Sequence, residues 1–241
     1  MTRDYDWSRR RMIGRAALAA GAVLITGAAV SGQEQDAVQE AAQEPDEAEI
    51  KVTPPEDLMR EHAVLERLLL IYEKVLGTSQ PSDWLLKQLA DAVRLVRTFI
   101  EDYHEKLEED HIFPRFEKVG KLADFTAVLH KQHDAGRRLT DAIVRQIKEA
   151  AGAADTQALA SNLTAFLRMY RPHAAREATI LFPQLNSVVK PDEYDEMGET
   201  FEEIEHQKFG EAGFEGIVQK VAVIEKNLRI YDLASFTPKL T

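Results

Sequence analysis

One pattern of residues that could bind a metal occurs twice in this chain. HEKLEEDHIFP runs from His104 to Pro114 and HAAREATILFP runs from His173 to Pro183, so both read H-x-x-x-E-x-x-x-x-F-P. Residues four apart share one face of an α-helix, so each histidine and its glutamate can point the same way. Imidazole together with carboxylate suits iron, manganese or zinc.

Each copy of the pattern is preceded by a lone histidine. His62 comes 42 residues before His104, and His133 comes 40 residues before His173. The chain therefore reads as two copies of one helical hairpin. Four imidazoles and two carboxylates are costly to bury unless they are paired or bound to metal. We expect two metal ions, with the carboxylates bridging them and the imidazoles at each end. The predicted ligands are His62, His104, Glu108, His133, His173 and Glu177.

Four long amphipathic stretches carry these residues. Apolar positions at helical spacing predict helices over about residues 54–76, 82–112, 122–150 and 156–181, with Phe113-Pro114 ending the second. The turns between them are short, so neighbouring helices should be antiparallel. The predicted fold class is all-α: an up-down-up-down four-helix bundle with a C-terminal helical extension.

Composition restricts both the partners and the ligands. The chain has 241 residues, a formal net charge of -11 and no cysteine. Residues 1–32 carry a net charge of +3, so the remainder carries -14. Such a surface repels phosphates, and we expect no nucleic acid partner. Without cysteine there are no thiolate ligands or disulfides, so any metal is held by nitrogen and oxygen donors.

The chain divides into four predicted regions. Residues 1–32 have the three parts of an export signal, and Ser8–Ile13 resembles the twin-arginine type, which implies export across a bacterial inner membrane to the periplasm or envelope. The apolar run over residues 16–30 is short for a membrane span, so we expect no transmembrane domain after cleavage; an uncleaved anchor is the alternative. Residues 33–53 form an acidic linker, residues 54–187 the bundle, and residues 188–241 the extension and tail.

The duplicated residues resemble the hemerythrin-like (HHE cation-binding) domains. The resemblance covers about residues 54–187 and rests on His62, His104-x-x-x-Glu108, His133, His173-x-x-x-Glu177 and the two Phe-Pro pairs. It implies a non-haem di-iron centre in a four-helix bundle, with oxygen, peroxide or nitric oxide as small ligands, or with iron as the sensed or handled cargo. Manganese and zinc suit the same ligands. Whether the protein is an enzyme, a carrier or a sensor is left open.

Two departures separate this chain from the oxygen-carrying hemerythrins. Those proteins have a second histidine where this chain has Arg137, and their fourth helix has His-x-x-x-x-Asp. His104-Glu105-x-x-Glu108 is more similar to the iron-sensing hemerythrin domain of a ubiquitin-ligase subunit, which makes Glu105 a possible further ligand. A smaller nitrogen ligand set favours reaction with small molecules, or iron handling, over stable oxygen storage.

The same residues allow other roles and arrangements. His111, seven residues after His104 and roughly on the same face, is a second possible further ligand, although its position favours a role in orienting a carboxylate ligand. A ferritin-like di-iron oxidase or iron-storage protein would instead use Glu108-x-x-His111 and Glu203-x-x-His206, with Glu61 and Glu177 as single ligands. That reading leaves the hairpin duplication unexplained. A metal-free helical interaction module of the cell envelope requires the duplicated histidines to be accidental.

Overall fold

A computed structural model describes residues 52–150 and 156–238 of the chain. The predicted export signal and all but the last two residues of the acidic linker lie outside the described residues. Within these two ranges the chain is helical and contains no strand, so the prediction of an all-α chain is confirmed. The domain boundaries drawn from the sequence stay predictions.

The helical segments follow one another with short connections. α1 spans Pro54–Leu76. The second helical stretch, residues 83–118, is made of α2 (Asp83–Leu95), a π-helical segment (Val96–His104), α3 (Glu105–Leu107), a second π-helical segment (Glu108–Ile112) and α4 (Phe113–Lys118). Then come α5 (Ala123–Ala150) and α6 (Thr156–Arg176), which continues as a π-helical segment (Glu177–Leu181) and a 3₁₀ segment (Phe182–Ser187). The remainder consists of α7 (Pro191–Phe209), a 3₁₀ turn (Gly210–Ala212), α8 (Gly213–Leu228) and a last 3₁₀ turn (Leu233–Phe236).

Capping residues set the beginnings of the first two helices. The Thr53 hydroxyl accepts a hydrogen bond from the Glu56 amide at 3.4 Å, and the Ser82 hydroxyl accepts one from the Leu85 amide at 3.3 Å. Both satisfy amides that have no partner inside the helix. The position of each start was therefore readable from local sequence.

The predicted helix end at Phe113-Pro114 is wrong. The helical stretch does not end there: it passes through a π-helical segment over Glu108–Ile112 and continues as α4. The Phe113 amide bonds to the Glu108 carbonyl five residues back, and the Phe182 amide bonds to the Glu177 carbonyl in the same way. Proline has no amide hydrogen to donate. The wider turn sits directly before each proline, where the ordinary α-helical hydrogen bonding has to change.

The segments pack around one apolar core. α1 packs against α2 and α6, α5 packs against α6 and α2, and the apolar faces between them are buried. α8 lies against α1 and α2, and the Arg67 guanidinium donates to both carboxylate oxygens of the buried Glu225, with an Nε–Oε1 distance of 3.0 Å. Helices α7 and α8 occupy the region where the sequence predicts a C-terminal helical extension. Among the described residues, none of the helices combines the length and the apolar character that crossing a membrane requires.

Candidate metal centre

The six predicted ligands come together inside the bundle, and all six are buried. Their imidazole Nε2 atoms converge. The Nε2 atoms of His133 and His173 are 3.2 Å apart, and the Nε2 atoms of His173 and His62 lie 3.0 Å and 3.3 Å from Glu177 Oε2. Each helical hairpin of the repeat therefore contributes to one common cluster.

The cluster divides into two groups of donors with one shared member. His62, His104 and Glu108 form the first group, and Glu108, His133, His173 and Glu177 form the second; within each group the donor atoms lie within 4.8 Å of one another. Glu108 Oε1 is 3.7 Å from His104 Nε2, and Glu108 Oε2 is 3.4 Å from His133 Nε2. One carboxylate thus directs one oxygen to each group, which is the arrangement of a bridging ligand.

The two carboxylates of the cluster are the second feature that points to a metal. Both oxygens of Glu108 and both oxygens of Glu177 are buried and have no hydrogen-bond partner among the described residues, and the same holds for both ring nitrogens of His62. A buried polar atom without a partner costs about 1–3 kcal/mol, and more if it is charged. Metal ions between the Nε2 atoms and the carboxylates would satisfy the carboxylate oxygens and His62 Nε2, so the donor set fits a metal centre.

Three of the four imidazoles are oriented by a hydrogen bond from Nδ1, which lies on the side of the ring away from the cluster. His104 Nδ1 donates to Glu61 Oε2 at 2.7 Å, His133 Nδ1 to Glu109 Oε1 at 3.0 Å, and His173 Nδ1 to Gln132 Oε1 at 2.8 Å. Because each acceptor is a carboxylate or amide oxygen, Nδ1 carries a proton. In the neutral imidazole the lone pair of Nε2 therefore faces the cluster, as it does in histidines that bind metal.

The phenylalanines of the repeated pattern lie on the two lone histidines. Phe113 stacks on His133 with ring centroids 5.5 Å apart, and Phe182 stacks on His62 at 5.3 Å, with interplanar angles of 24° and 23°. The phenylalanine of each pattern follows its histidine by nine residues, and in an uninterrupted α-helix two such positions point to opposite sides. The π-helical turn between Glu and Phe changes this register, so the phenylalanine reaches the imidazole of a neighbouring helix. The stacking fixes the ring planes and covers the cluster with apolar surface.

Burial and neighbouring charge set the protonation states of the cluster. Burial raises the pKa of Glu108 well above its ordinary value, and the nearby Glu177 raises it further. Burial also acts on Glu177, but the His173 and His62 imidazoles outweigh it and hold the pKa of that carboxyl well below its ordinary value. Burial lowers the pKa of His62, and it lowers the pKa of His133 to about 4. His62 and His133 are therefore neutral at pH 7, which is the form that binds metal.

The two possible further ligands are placed differently. Glu105 is buried, with Oε1 accepting from the Tyr170 hydroxyl at 2.6 Å and Oε2 lying 2.8 Å from Arg137 Nη2. Burial raises the pKa of Glu105 to about 8. His111 is half-buried, packs edge-on against Phe201 at 5.6 Å and belongs to none of the candidate groups. Their roles stay predictions.

The residues of the ferritin-like alternative are not brought together in the described structure. Glu203 and His206 are exposed on α7, where Glu203 accepts from the Gln207 side chain at 3.2 Å and His206 Nε2 lies 3.8 Å from Glu211. Glu61 sits behind His104 rather than beside the Nε2 atoms. The geometry thus favours the hairpin cluster.

Sequence reasoning missed the residues that orient the ligands. The sequence gives no role to Glu109 or Gln132, it suggests Glu61 only as a ligand of the ferritin-like alternative, and it predicts helix ends rather than stacking for the phenylalanines. One signal was available. Glu105 and Glu109 are four residues apart on the second stretch, and His133 and Arg137 are four apart on α5, so two helix faces carry complementary charges at matching intervals.

Comparison with known proteins identifies a family that this chain matches. The hemerythrin HHE cation binding domain matches residues 53–185. The chain is similar to the uncharacterized protein Rv1995 of Mycobacterium tuberculosis and to the uncharacterized protein Mb2018 of Mycobacterium bovis; each is 46% identical over 235 residues, covering 95% of this chain and 91% of the relative. No solved structure matches this chain.

Proposed function

This chain belongs to the hemerythrin HHE cation-binding family, and on that premise we propose that its buried cluster holds a non-haem di-iron centre in an up-down-up-down four-helix bundle. One observation carries the proposal. The four carboxylate oxygens of Glu108 and Glu177 lie buried among the histidine Nε2 atoms without a hydrogen-bond partner in the described structure. Such atoms are rarely left unsatisfied in a native core.

Two ions fit better than one for reasons of charge and geometry. The two donor groups share Glu108, and Glu177 Oε2 lies near a histidine of each hairpin, His62 and His173. A single ion would leave one group empty and one buried carboxylate uncompensated. Imidazole and carboxylate donors suit iron, and manganese and zinc suit the same donors.

We propose that a bound iron pair supplies the chemistry of binding, or reacting with, oxygen, peroxide or nitric oxide. The alternative within the same proposal is that the protein senses or handles iron itself. The chain contributes the rest. Phe113 and Phe182 cover the two lone histidines, and the partners of Nδ1 keep the other imidazoles in one tautomer. Arg137 brings a guanidinium where oxygen carriers have another imidazole. A smaller nitrogen set supports reaction or iron handling over stable storage.

Metal content per chain tests the proposal. We expect about two irons per chain in the protein expressed from iron-supplemented cells, and loss of most of that iron in His104→Leu/His173→Leu, because the two substitutions together remove one donor from each group. His206→Leu, which changes an exposed histidine on α7, is the control and should keep the iron. Mass spectrometry of the purified proteins gives the count.

Three results separate the alternatives. Iron that survives His104→Leu/His173→Leu but is lost when Glu203 and His206 are replaced would favour the ferritin-like reading. A well-folded helical protein without bound metal would favour the metal-free interaction module. Zinc or manganese in place of iron would keep the centre and change its chemistry.

We further propose that the protein is exported by the twin-arginine route, which carries folded proteins and so suits a metal loaded before export. The support is sequence alone: Arg9 and Arg10 stand before the apolar run over residues 16–30. Arg9→Lys/Arg10→Lys is expected to retain the chain in the cytoplasm, measured by cell fractionation. Unchanged export of this variant would contradict the proposed route.

A further inference from the structure

A third buried group of possible ligands lies beside the proposed pair. It consists of Glu105, Glu109 and His133, and His133 is also a member of the second group. The third group differs from the other two in one respect. Its two carboxylates form ion pairs with the guanidinium of Arg137, whereas the ion-pair contacts of Glu108 and Glu177 are with imidazoles.

Arg137 supplies the positive charge of this third group. Its Nη2 lies 2.8 Å from Glu105 Oε2 and 2.7 Å from Glu109 Oε1, so one guanidinium nitrogen joins both carboxylates. The remaining oxygens are also occupied, since Tyr170 donates to Glu105 Oε1 and the Lys106 ammonium contacts Glu109 Oε2. The third group therefore has its counter-charge within the chain, without a metal ion.

The charge of Arg137 is permanent. A guanidinium does not lose its proton in proteins, whereas a metal ion can dissociate. The side chain extends from α5 with 20% of its surface exposed and reaches carboxylates that are 1% and 3% exposed. Arg137 also acts on His133 indirectly, because Glu109 Oε1 accepts from both Arg137 and His133 Nδ1.

We infer that Arg137 is a built-in cation of the third group, that it excludes a metal ion from Glu105 and Glu109, and that it thereby confines bound metal to the groups around Glu108 and Glu177. This role deepens the proposed function and presupposes its metal centre. The test nevertheless compares the number of ions bound by a variant of Arg137 with the number bound by the natural chain. This difference can be measured whatever number of ions the natural chain binds.

Removing the guanidinium should open the third group to a divalent cation. Without the guanidinium the two buried carboxyl groups lose their counter-charge, which a divalent ion with its waters can replace if a proton does not. Mn²⁺ is a suitable probe because it binds carboxylate and imidazole donors. Equilibrium dialysis against Mn²⁺ followed by elemental analysis gives the number of ions per chain, and this readout does not depend on any activity.

Arg137→Gln is expected to bind one Mn²⁺ more per chain than the natural protein. Arg137→Lys, which keeps a positive charge, should match the natural count. Glu105→Gln/Arg137→Gln, which removes one carboxylate as well, should also match it. Circular dichroism checks that each variant is folded, and Arg137→Met, which removes the charge without adding a metal ligand of the imidazole or carboxylate type, is the second charge-removing variant if Arg137→Gln does not fold.

Two outcomes would overturn the inference. If the charge-removing variant binds the same number of Mn²⁺ ions as the natural chain, the third group takes no ion when Arg137 is absent. If it binds fewer, Arg137 supports the ligands without excluding a metal. Failure of the proposed function looks different: the natural chain would bind no Mn²⁺ or iron, while the difference between the variants would still be measurable.

Discussion

Replacing Glu108 by glutamine is expected to remove at least one metal ion per chain and, at the same time, to make the metal-free protein more stable. Glu108 is the member common to both donor groups, so each ion loses a ligand. The affinity should fall by more than the roughly 10–100-fold that loss of an outer partner of a ligand costs. Elemental analysis after dialysis measures this first effect.

The gain in stability follows from the raised pKa of Glu108. Burial makes the ionised form of this carboxyl unfavourable in the folded chain, so at pH 7 it opposes folding. Glutamine has nearly the same shape without the charge, and its amide nitrogen can donate to the Nε2 lone pair of one neighbouring imidazole, that of His133 or that of His104. We expect a gain of about 1–3 kcal/mol in the free energy of unfolding. The gain should shrink as the pH falls towards 4.5, because the carboxyl then becomes protonated in both states.

Glu177→Gln provides the contrast. It should also lose metal, but the metal-free variant should be less stable than the natural chain, because His173 and His62 hold the pKa of Glu177 below its ordinary value and so stabilise its ionised form. That stabilisation is present above the unfolded pKa and is lost as the pH falls through the folded one. The two substitutions are thus expected to change the free energy of unfolding in opposite directions. A general effect of the substitutions on packing would change it in the same direction for both.

Urea unfolding in the presence of a chelator measures both stabilities. Glu225→Gln is the matched control: this buried carboxylate is held by Arg67 on α1, so the variant should lose stability and keep its metal. Metal content unchanged in Glu108→Gln would contradict the assignment of Glu108 as a shared ligand. A metal-free Glu108→Gln less stable than the natural chain would contradict the account of its burial.

The repeated pattern made the cluster predictable because its chemistry is periodic. His104 and Glu108, like His173 and Glu177, are one helical turn apart, and the lone histidines recur at nearly equal distances before them. A helical period is enough to place such residues on one face. The all-α class followed from the same periodicity, and α1 and α2 begin where Thr53 and Ser82 cap them.

Contacts between helices were harder to foresee because they depend on register. The partners of Nδ1, such as Glu61 and Gln132, lie on other helices, and periodicity within one helix does not say which residues of two helices meet. The phenylalanines illustrate the same limit. Phe113-Pro114 was read as a helix end, since proline usually stops a helix. The π-helical turn carries the chain past Pro114 and sets Phe113 on His133.

Replacing Gly136 by alanine is expected to destabilise the chain, although Gly→Ala within a helix usually stabilises a protein. In the interior of a helix, Gly→Ala ordinarily stabilises by roughly 0.5–1 kcal/mol. At Gly136 the added Cβ would lie 1.9 Å from the Tyr170 hydroxyl oxygen and 2.7 Å from its Cζ. The phenol is fully enclosed and cannot swing aside without leaving Glu105. Gly136→Ala should therefore destabilise the chain by about 1–3 kcal/mol, the usual cost of overpacking.

Two further variants assign this cost to the contact with Tyr170. Gly77→Ala is the control, since its Cβ would meet only backbone oxygens at 3.6 Å and 3.7 Å, and its effect on urea unfolding should be small. Tyr170→Leu in the Gly136→Ala background should recover part of the loss, because it removes the atoms that collide. A stabilising Gly136→Ala would mean that Tyr170 has room to move. The bond from Tyr170 to Glu105 would then be an adjustable contact, and only Arg137 would hold that carboxylate in place beside the cluster.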